Sequence, residues 1–365
     1  MSQLRTVQVL GGGSAGSSAH VGSLAAGLIA RGVQVTVCAP AALERAYGFS
    51  AAGARFAPVP RRADPASLAA LRAACADADV VHAHGLHAAV RTALALGGRR
   101  VPLVFTWHTR AHAEGARRRL LHLLERRAAR TASVVLGASS DLVDRARRRG
   151  ARDARLAPLA APLAQSAAPV DGDKVRAGLG AVGRPLVMAV GSLVPQHGYG
   201  TLLDAARAWR RLDPAPLVAI AGEGRERAAL RRRIKAEDLP VALLGTREDV
   251  PELLAAADLV VLPSRWEARS LLAQEALRAG VPLVATAVGG VPELVGDAAE
   301  LVPYGNAEAL ARAVSRLLDD PAERDRLAAA GIRQAAGWPT EDDTIAHVLS
   351  VYDELAQPLG VPRTR

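Results

Sequence analysis

Leu259-Val-Val-Leu-Pro-Ser-Arg-Trp-Glu-Ala-Arg-Ser-Leu-Leu-Ala-Gln-Glu-Ala-Leu-Arg-Ala-Gly-Val-Pro-Leu-Val-Ala-Thr286 reads as a strand, a helix and a second strand. The runs Leu259 to Leu262 and Leu283 to Thr286 are short and apolar, as strands buried on both faces are. Leu271 to Ala279 between them predicts a helix, with Ser270 placed to cap it and leave free N–H groups on the residues that follow. Two carboxylates, Glu267 and Glu275, lie eight residues apart, one before this helix and one inside it. The helix macrodipole favours acids near its start by only about 1 kcal/mol. An anionic nucleotide sugar uses the arrangement more fully: N–H groups for a diphosphate, carboxylates for sugar and ribose hydroxyls.

The same grammar extends in both directions. Upstream, strands are predicted at Thr6 to Leu10, Val33 to Ala39, Arg55 to Val59, Asp79 to His84, Pro102 to Trp107 and Val134 to Ala138. After a proline-rich linker at Ala157 to Gly172 they resume at Pro185 to Val190, Leu217 to Ala221 and Val241 to Leu244. Helices are predicted at Tyr199 to Arg211, Glu226 to Ala236 and Ala307 to Leu318. Strands alternating with helices make parallel sheets covered on both faces. A chain of 365 residues is long enough for two such cores. Each domain opens with a strand running into a glycine-bearing loop, Gln8 to Gly13 and Met188 to Gly191. The first does not fit the dinucleotide fingerprint, because the second strand ends Cys38-Ala39-Pro40 without an acidic residue.

Composition narrows the class. The formal charge is +10, but of 46 basic residues only Lys174 and Lys235 are lysines, and aromatic residues make up 3%, too few for stacking platforms on nucleic acid. No nucleic-acid partner is expected. No apolar run reaches the roughly 18 residues that span a bilayer. The apolar run before Gly11 is too short for a secretory signal, so the expected location is cytoplasmic. Cys38 and Cys75 read as core residues without a disulfide. His82 and His84 share a strand face and could join His108 or His112 around zinc. No cysteine accompanies them, and neither metal nor cofactor is expected.

Several pieces in order resemble the group 1 retaining glycosyltransferases of GT-B fold, a family marked by two glutamates spaced as Glu267 and Glu275. They are Ala78-Asp-Val-Val-His-Ala-His-Gly85, Val104-Phe-Thr-Trp-His-Thr109, Gly191 to Ala206, Ala221-Gly-Glu-Gly224, Gly245 to Asp258 and Gly289-Gly-Val-Pro-Glu293. The resemblance implies two Rossmann-like doubly wound domains facing each other across a cleft. Residues 1–165 would form the acceptor domain and residues 166–339 the donor domain, with a C-terminal helix in 340–365 crossing back to the first. It implies a metal-independent hexosyltransferase using a UDP- or GDP-sugar as co-substrate, and a small-molecule, lipid or glycan acceptor. The departing phosphate would accept the proton of the attacking hydroxyl.

Carried over residue by residue, the resemblance assigns Glu267 and His108 to the donor sugar as the catalytic pair, and Glu275 to the ribose. Gly16 in the first loop matches the glycine whose backbone approaches the diphosphate, and Thr246 opens the base-binding edge; Gly13, Ser270 and Leu271 are further donor-binding candidates. The family places an Arg and a Lys where this chain has Ser192 and His197. Losing one such charge partner costs roughly 2.7 to 4 kcal/mol of transition-state stabilisation. Arg269 or Arg265 is expected to supply the missing charge, with His197 protonating against bound phosphate. The alternatives are a weak or inactive relative that senses a nucleotide sugar, and a sugar-nucleotide epimerase of the same fold. Arg117 to Arg130 reads as an amphipathic helix, leucines on one side and arginines on the other, that could meet an anionic membrane at its inner face.

Overall fold

The computed structural model describes residues 3–12, 15–62, 64–110, 115–157, 160 and 171–356. Residues 1–162 with 339–365 form one compact unit and residues 163–338 the other. The linker expected at Ala157 to Gly172 falls largely outside the described residues.

In the first unit β1 (Arg5–Leu10) leads to α1 (Ala15–Ala30), β2 (Gln34–Ala39), α2 (Ala41–Tyr47), β3 (Arg55–Pro58) and α3 (Pro65–Ala74). Then follow β4 (Val80–His84), α4 (Leu86–Leu96), β5 (Leu103–Trp107), α5 (Gly115–Thr131), β6 (Val134–Gly137), α6 (Ser140–Arg148) and β7 (Ala154–Leu156). The strands form one sheet in the order β3-β2-β1-β4-β5-β6-β7, and all neighbours pair parallel. Chain order reverses between β1 and β4, which opens a crevice beyond their carboxyl ends.

The second unit begins with α7 (Gly172–Leu179) and β8 (Leu186–Val190), then α8 (Tyr199–Trp209), β9 (Leu217–Ala221), α9 (Arg227–Ala236), β10 (Val241–Gly245) and α10 (Val250–Ala255). It continues through β11 (Leu259–Leu262), α11 (Leu271–Arg278), β12 (Leu283–Thr286), α12 (Val291–Val295), β13 (Glu300–Val302), α13 (Ala307–Asp319) and α14 (Pro321–Ala336). Its parallel sheet runs β10-β9-β8-β11-β12-β13, with the reversal between β8 and β11. Two apolar cores sandwich this sheet, one around Trp209 and Leu203 and one around Met188 and Leu277.

β7 and β13 were not predicted from sequence. Both are three-residue edge strands, and the half-buried Arg155 and Glu300 in them interrupt the apolar pattern that marks the inner strands.

The last helix, α15 (Glu341–Ala356), belongs to the first unit. Ile345, Val348, Val351 and Tyr352 recur at helical spacing and are buried in the same core as Leu24 and Leu28 of α1. The helices approach closely because α1 offers a glycine: a Cβ on Gly27 would lie 2.1 Å from Ile345 Cδ1. At the rim, Arg155 bridges Glu354 at 2.8 Å, and Ser23 Oγ donates to Glu341 at 2.5 Å. Cys38 and Cys75 are buried free thiols, and burial pushes both up from the usual thiol range.

Candidate functional site

The reversal point of the second sheet gathers most of the residues singled out in the sequence. β8 ends in a loop that carries Ser192 and tightens into a 3-10 turn over Pro195–His197. β11, its neighbour, ends in the loop that carries Glu267. The loops are sewn together by backbone: Arg265 N–H donates to Gln196 O at 2.7 Å, and Gly198 lies so close to Pro263 that a Cβ there would stand 1.9 Å from its carbonyl oxygen. A third loop joins where Gly290 N–H donates to Glu267 O at 2.9 Å.

The Glu267 carboxylate is half-buried and accepts a hydrogen bond from Ser264 Oγ at 2.9 Å. Burial holds its carboxyl above the ordinary glutamate range, and the Ser264 hydroxyl moderates the effect. Ser264 is itself fixed by Thr286, whose Oγ1 donates to the Ser264 carbonyl at 2.6 Å. Tyr199, 2% exposed, is the near neighbour that sequence reasoning did not assign. Burial, and after it the Glu267 charge, pushes its phenol upward. Its signal lay in the Gly-Tyr-Gly context, where a large aromatic between glycines has to fill the space beside the turn.

Ser270 caps α11, its Oγ accepting from Ala273 N–H at 3.3 Å. Leu271 is the first helical residue, and Glu275 lies one turn on, half-buried and raised in pKa by that burial. His197 is also half-buried; burial lowers its pKa, and its ring centroid lies 6.2 Å from that of Tyr199. Ser192, Thr246 and Arg265 are exposed at the loop ends.

Arg269 is placed differently from its companions. Its guanidinium lies 5.5 Å from the Trp338 ring centroid, and Arg278 lies 5.2 Å from the same ring. Burial first, then Arg278, lowers its pKa to about 10, and its Nε has no hydrogen-bond partner. Trp338 follows α14, far along the chain from Arg269, so no local pattern foretold the pair.

In the first unit, His108 follows β5 and belongs to a cluster of imidazoles. Ring centroids are 5.6 Å apart for His84 and His108, 5.9 Å for His20 and His108, and 4.1 Å for His82 and His84. His82 Nδ1 lies 2.6 Å from the Tyr352 hydroxyl and His84 Nε2 lies 2.9 Å from Gln8 Oε1, so the cluster is wired to α15. No group of three His, Cys, Asp or Glu among the described residues is arranged to hold a metal ion. His112, the other ligand considered, lies outside them, as does Gly13. Gly16 is in the first turn of α1, with open space where a Cβ would be.

Burial lowers the pKa of His20 to about 4 and that of His108 to about 3, and holds His82 and His84 well below the ordinary imidazole range. A histidine depressed in the folded state is protonated first in the unfolded chain, so stability falls as pH drops from about 6.5 and levels off below the folded pKa. At about 1.4 kcal/mol per pKa unit, His20 alone contributes on the order of 3 kcal/mol to this loss. Melting curves recorded from about pH 7.5 to about pH 5 should show the first unit losing stability steeply. An unchanged transition over that range would contradict neutral burial.

α5 departs from the expected segregation. Its inward residues are Glu125, Ala128 and Ala129, while Leu120 and Leu123 are 57% and 63% exposed, among the arginines. The reason is Glu125, which is 1% exposed and bridges Arg145 and Arg149, each at 2.7 Å. This ion triad, in place of leucine, faces the neighbouring helix α6. No helix among the described residues is long and apolar enough to cross a membrane.

Residues 173–334 match the family model described as glycosyl transferases group 1, and residues 15–162 match that of a glycosyl transferase 4-like domain. The chain belongs to the group 1 glycosyltransferases. This group 1 chain is 35% identical over 218 residues to alpha-D-kanosaminyltransferase of Streptomyces kanamyceticus, covering 56% of each. It is 34% identical over 208 residues to D-inositol 3-phosphate glycosyltransferase of Salinispora tropica, covering 51% of this chain and 43% of that one. It thus spans about half the length of the curated relatives it matches. The fold is that of HepE from Anabaena, solved in complex with UDP: TM-score 0.81 at 20% identity, over 96% of this chain and 100% of that one. A structure of the same protein with UDP-glucose superposes with TM-score 0.80. The group 1 match covers all three loops around Glu267 and Glu275.

Proposed function

We propose that the protein transfers a hexose, with retention and without a metal ion, from a nucleoside diphosphate sugar to an acceptor hydroxyl. The observation that carries this reading is Glu267. Its carboxylate is half-buried, raised in pKa, fixed by Ser264, and placed where β8 and β11 diverge. That is where open parallel sheets bind ligands. The family match, the relatives' names and the UDP complexes of a protein of the same fold support it.

In this reading Glu267 holds the hydroxyls of the transferring sugar and Glu275 the ribose. Leu271 and the residues after it offer N–H groups to the diphosphate, with Gly13 and Gly16 in the same role from the first unit. His108 is neutral and serves as a hydrogen-bonding group on the sugar. The diphosphate oxygen takes the acceptor proton, and catalysis consists of positioning and charge stabilisation. Bound phosphate would raise the His197 pKa and recruit its charge, while Arg265 and Arg269 supply the remaining cations. Arg269 suits this role because its Nε is unpartnered. UDP, GDP and ADP, with and without a sugar, should be compared by thermal shift, since a ligand of the native state raises its stability by RT ln(1 + [L]/Kd). A shift with UDP or GDP is expected, and a flat panel would sink the proposal. Arg269→Ala is expected to weaken the shift by about tenfold in apparent affinity. Unchanged affinity would return the missing charge to Arg265 and His197.

Ser192 and His197 also favour a second reading, a weak relative that binds a nucleotide sugar without turnover. Release of UDP on adding acceptors separates the two, and isomerised donor without acceptor would indicate an epimerase. The exposed Leu120 and Leu123 among arginines fit α5 for an anionic lipid surface at the inner membrane face. Binding to phosphatidylglycerol vesicles but not to phosphatidylcholine vesicles is the expected co-sedimentation result.

A further inference from the structure

The reversal point of the first sheet, between β1 and β4, holds a cluster of cations that the proposed mechanism does not use. Arg91, on the second turn of α4, is 1% exposed, and its Nε and Nη2 have no hydrogen-bond partner. An arginine so buried and so incompletely bonded is costly unless something completes it. One turn earlier on the same helix is His87, exposed and at i, i+4 from Arg91, with Nδ1 3.0 Å from the Cβ position of Gly11. From the loop after β3, Arg61 lays its guanidinium over Gly12, so close that a Cβ there would meet its Nε at 2.1 Å. Asp64, whose charge reaches Arg91, is engaged in capping α3, accepting from Ser67 N–H at 2.7 Å. α4 starts at Gly85 with no side-chain cap and no acidic residue in its first turn, so its N–H groups add to the positive field.

We propose that Arg61, His87 and Arg91 form an anion pocket at the β1/β4 crevice, which takes a phosphomonoester carried by the acceptor. Arg91 forms the floor and provides two donors in the fork geometry that matches phosphate oxygens; Arg61 and His87 form the mouth. Burial lowers the Arg91 pKa, an effect that the Asp64 charge partly offsets, and burial followed by Arg91 and Arg61 lowers that of His87. A dianionic phosphate would accept from the open Arg91 donors and offset the positive charge around His87. The proposal rests on the glycosyltransferase reading in one respect only, that the bound anion belongs to the acceptor.

The test uses the full chain saturated with UDP, so that the donor's diphosphate site is filled. Glycerol 3-phosphate is the soluble probe and glycerol its control. Phosphatidic acid vesicles, against phosphatidylcholine vesicles, are the lipid probe. Glycerol 3-phosphate or phosphatidic acid is expected to bind where its control does not, and whichever binds identifies the source of the phosphate. The double variant Arg61→Ala with His87→Ala, both at exposed positions, should lose at least about tenfold in that affinity and keep its UDP response. Arg91→Met should abolish the binding. Binding by neither phosphate probe, or equal binding by wild type and the double variant, overturns the pocket. Absence of a UDP shift with the phosphate response intact overturns the donor reading and leaves the pocket standing.

Discussion

Glu267→Gln is expected to slow UDP release from UDP-glucose, in the presence of an acceptor, by about 100- to 1,000-fold, the usual effect of deleting one preorganised polar partner. The replacement keeps the shape of the side chain and its contact with Ser264 Oγ, now as a neutral pair. Charge is what is lost. Affinity for UDP itself should change by less than about threefold, because the carboxylate is assigned to the sugar and not to the nucleotide. The stability effect has a definite sign. Burial raises the Glu267 pKa above its unfolded value, so its ionised form burdens the native state above that pH and the burden disappears on protonation. The glutamine variant should therefore melt at the same temperature as wild type or slightly higher, while losing turnover. A variant that keeps near-wild-type turnover would remove Glu267 from the mechanism.

Gly198→Ala should do the opposite, removing stability and nucleotide binding together. Gly198 sits at φ 70°, in the left-handed region, where a side chain costs roughly 1–2 kcal/mol. The added Cβ would also stand 1.9 Å from Pro263 O and 2.9 Å from Pro263 C, both backbone atoms that cannot rotate away. Relief requires the turn at Pro195–His197 to part from the segment leading to Ser264 and Glu267. The expected loss is on the order of 3 kcal/mol, or roughly 6–12 °C in the melting of the second unit. The UDP-induced shift should vanish with it. Gly200→Ala is the control: Gly200 lies inside α8, and the nearest atom to its added Cβ is Arg233 Nη1 at 4.0 Å. That variant should be neutral or stabilised by up to about 1 kcal/mol from helix propensity. Equal behaviour of the two would show that the loops at β8 and β11 do not depend on close approach.

What could be read before any coordinates followed from burial. Inner strands such as Leu217–Ala221 and Leu283–Thr286 are apolar on both faces, and so are continuous runs in sequence. Edge strands β7 and β13 are half-solvated, three residues long and contain charges, so the same criterion passes over them. At the candidate site, residues whose roles are set by neighbours in sequence were legible: Ser270 caps the helix it precedes, and Glu267 and Glu275 flank that cap. Residues whose roles are tertiary were not. Tyr199 gains significance only from a carboxylate on another loop, and Trp338 only from two arginines, Arg269 just before α11 and Arg278 at its end. The Arg117 to Arg130 helix misled for a related reason. Its buried face is organised by an ion triad, and Glu125 within an arginine-rich run gives no sign of facing inward.

The wiring of Tyr352 to His82 and Gln8 bears on how the protein is made. The core of the first unit includes Ile345, Val348, Val351 and Tyr352, which leave the ribosome only after every residue of the second unit. The domain that starts first is therefore the domain that finishes last. Until α15 arrives, Gln8, His82 and the groove beside Gly27 face solvent, and the second unit can complete its own sheet in the meantime. A chain stopped before Glu341 would carry a finished second unit joined to an open-sided first unit. The apolar surface that the first unit exposes therefore depends on whether the sixteen residues of α15 have docked.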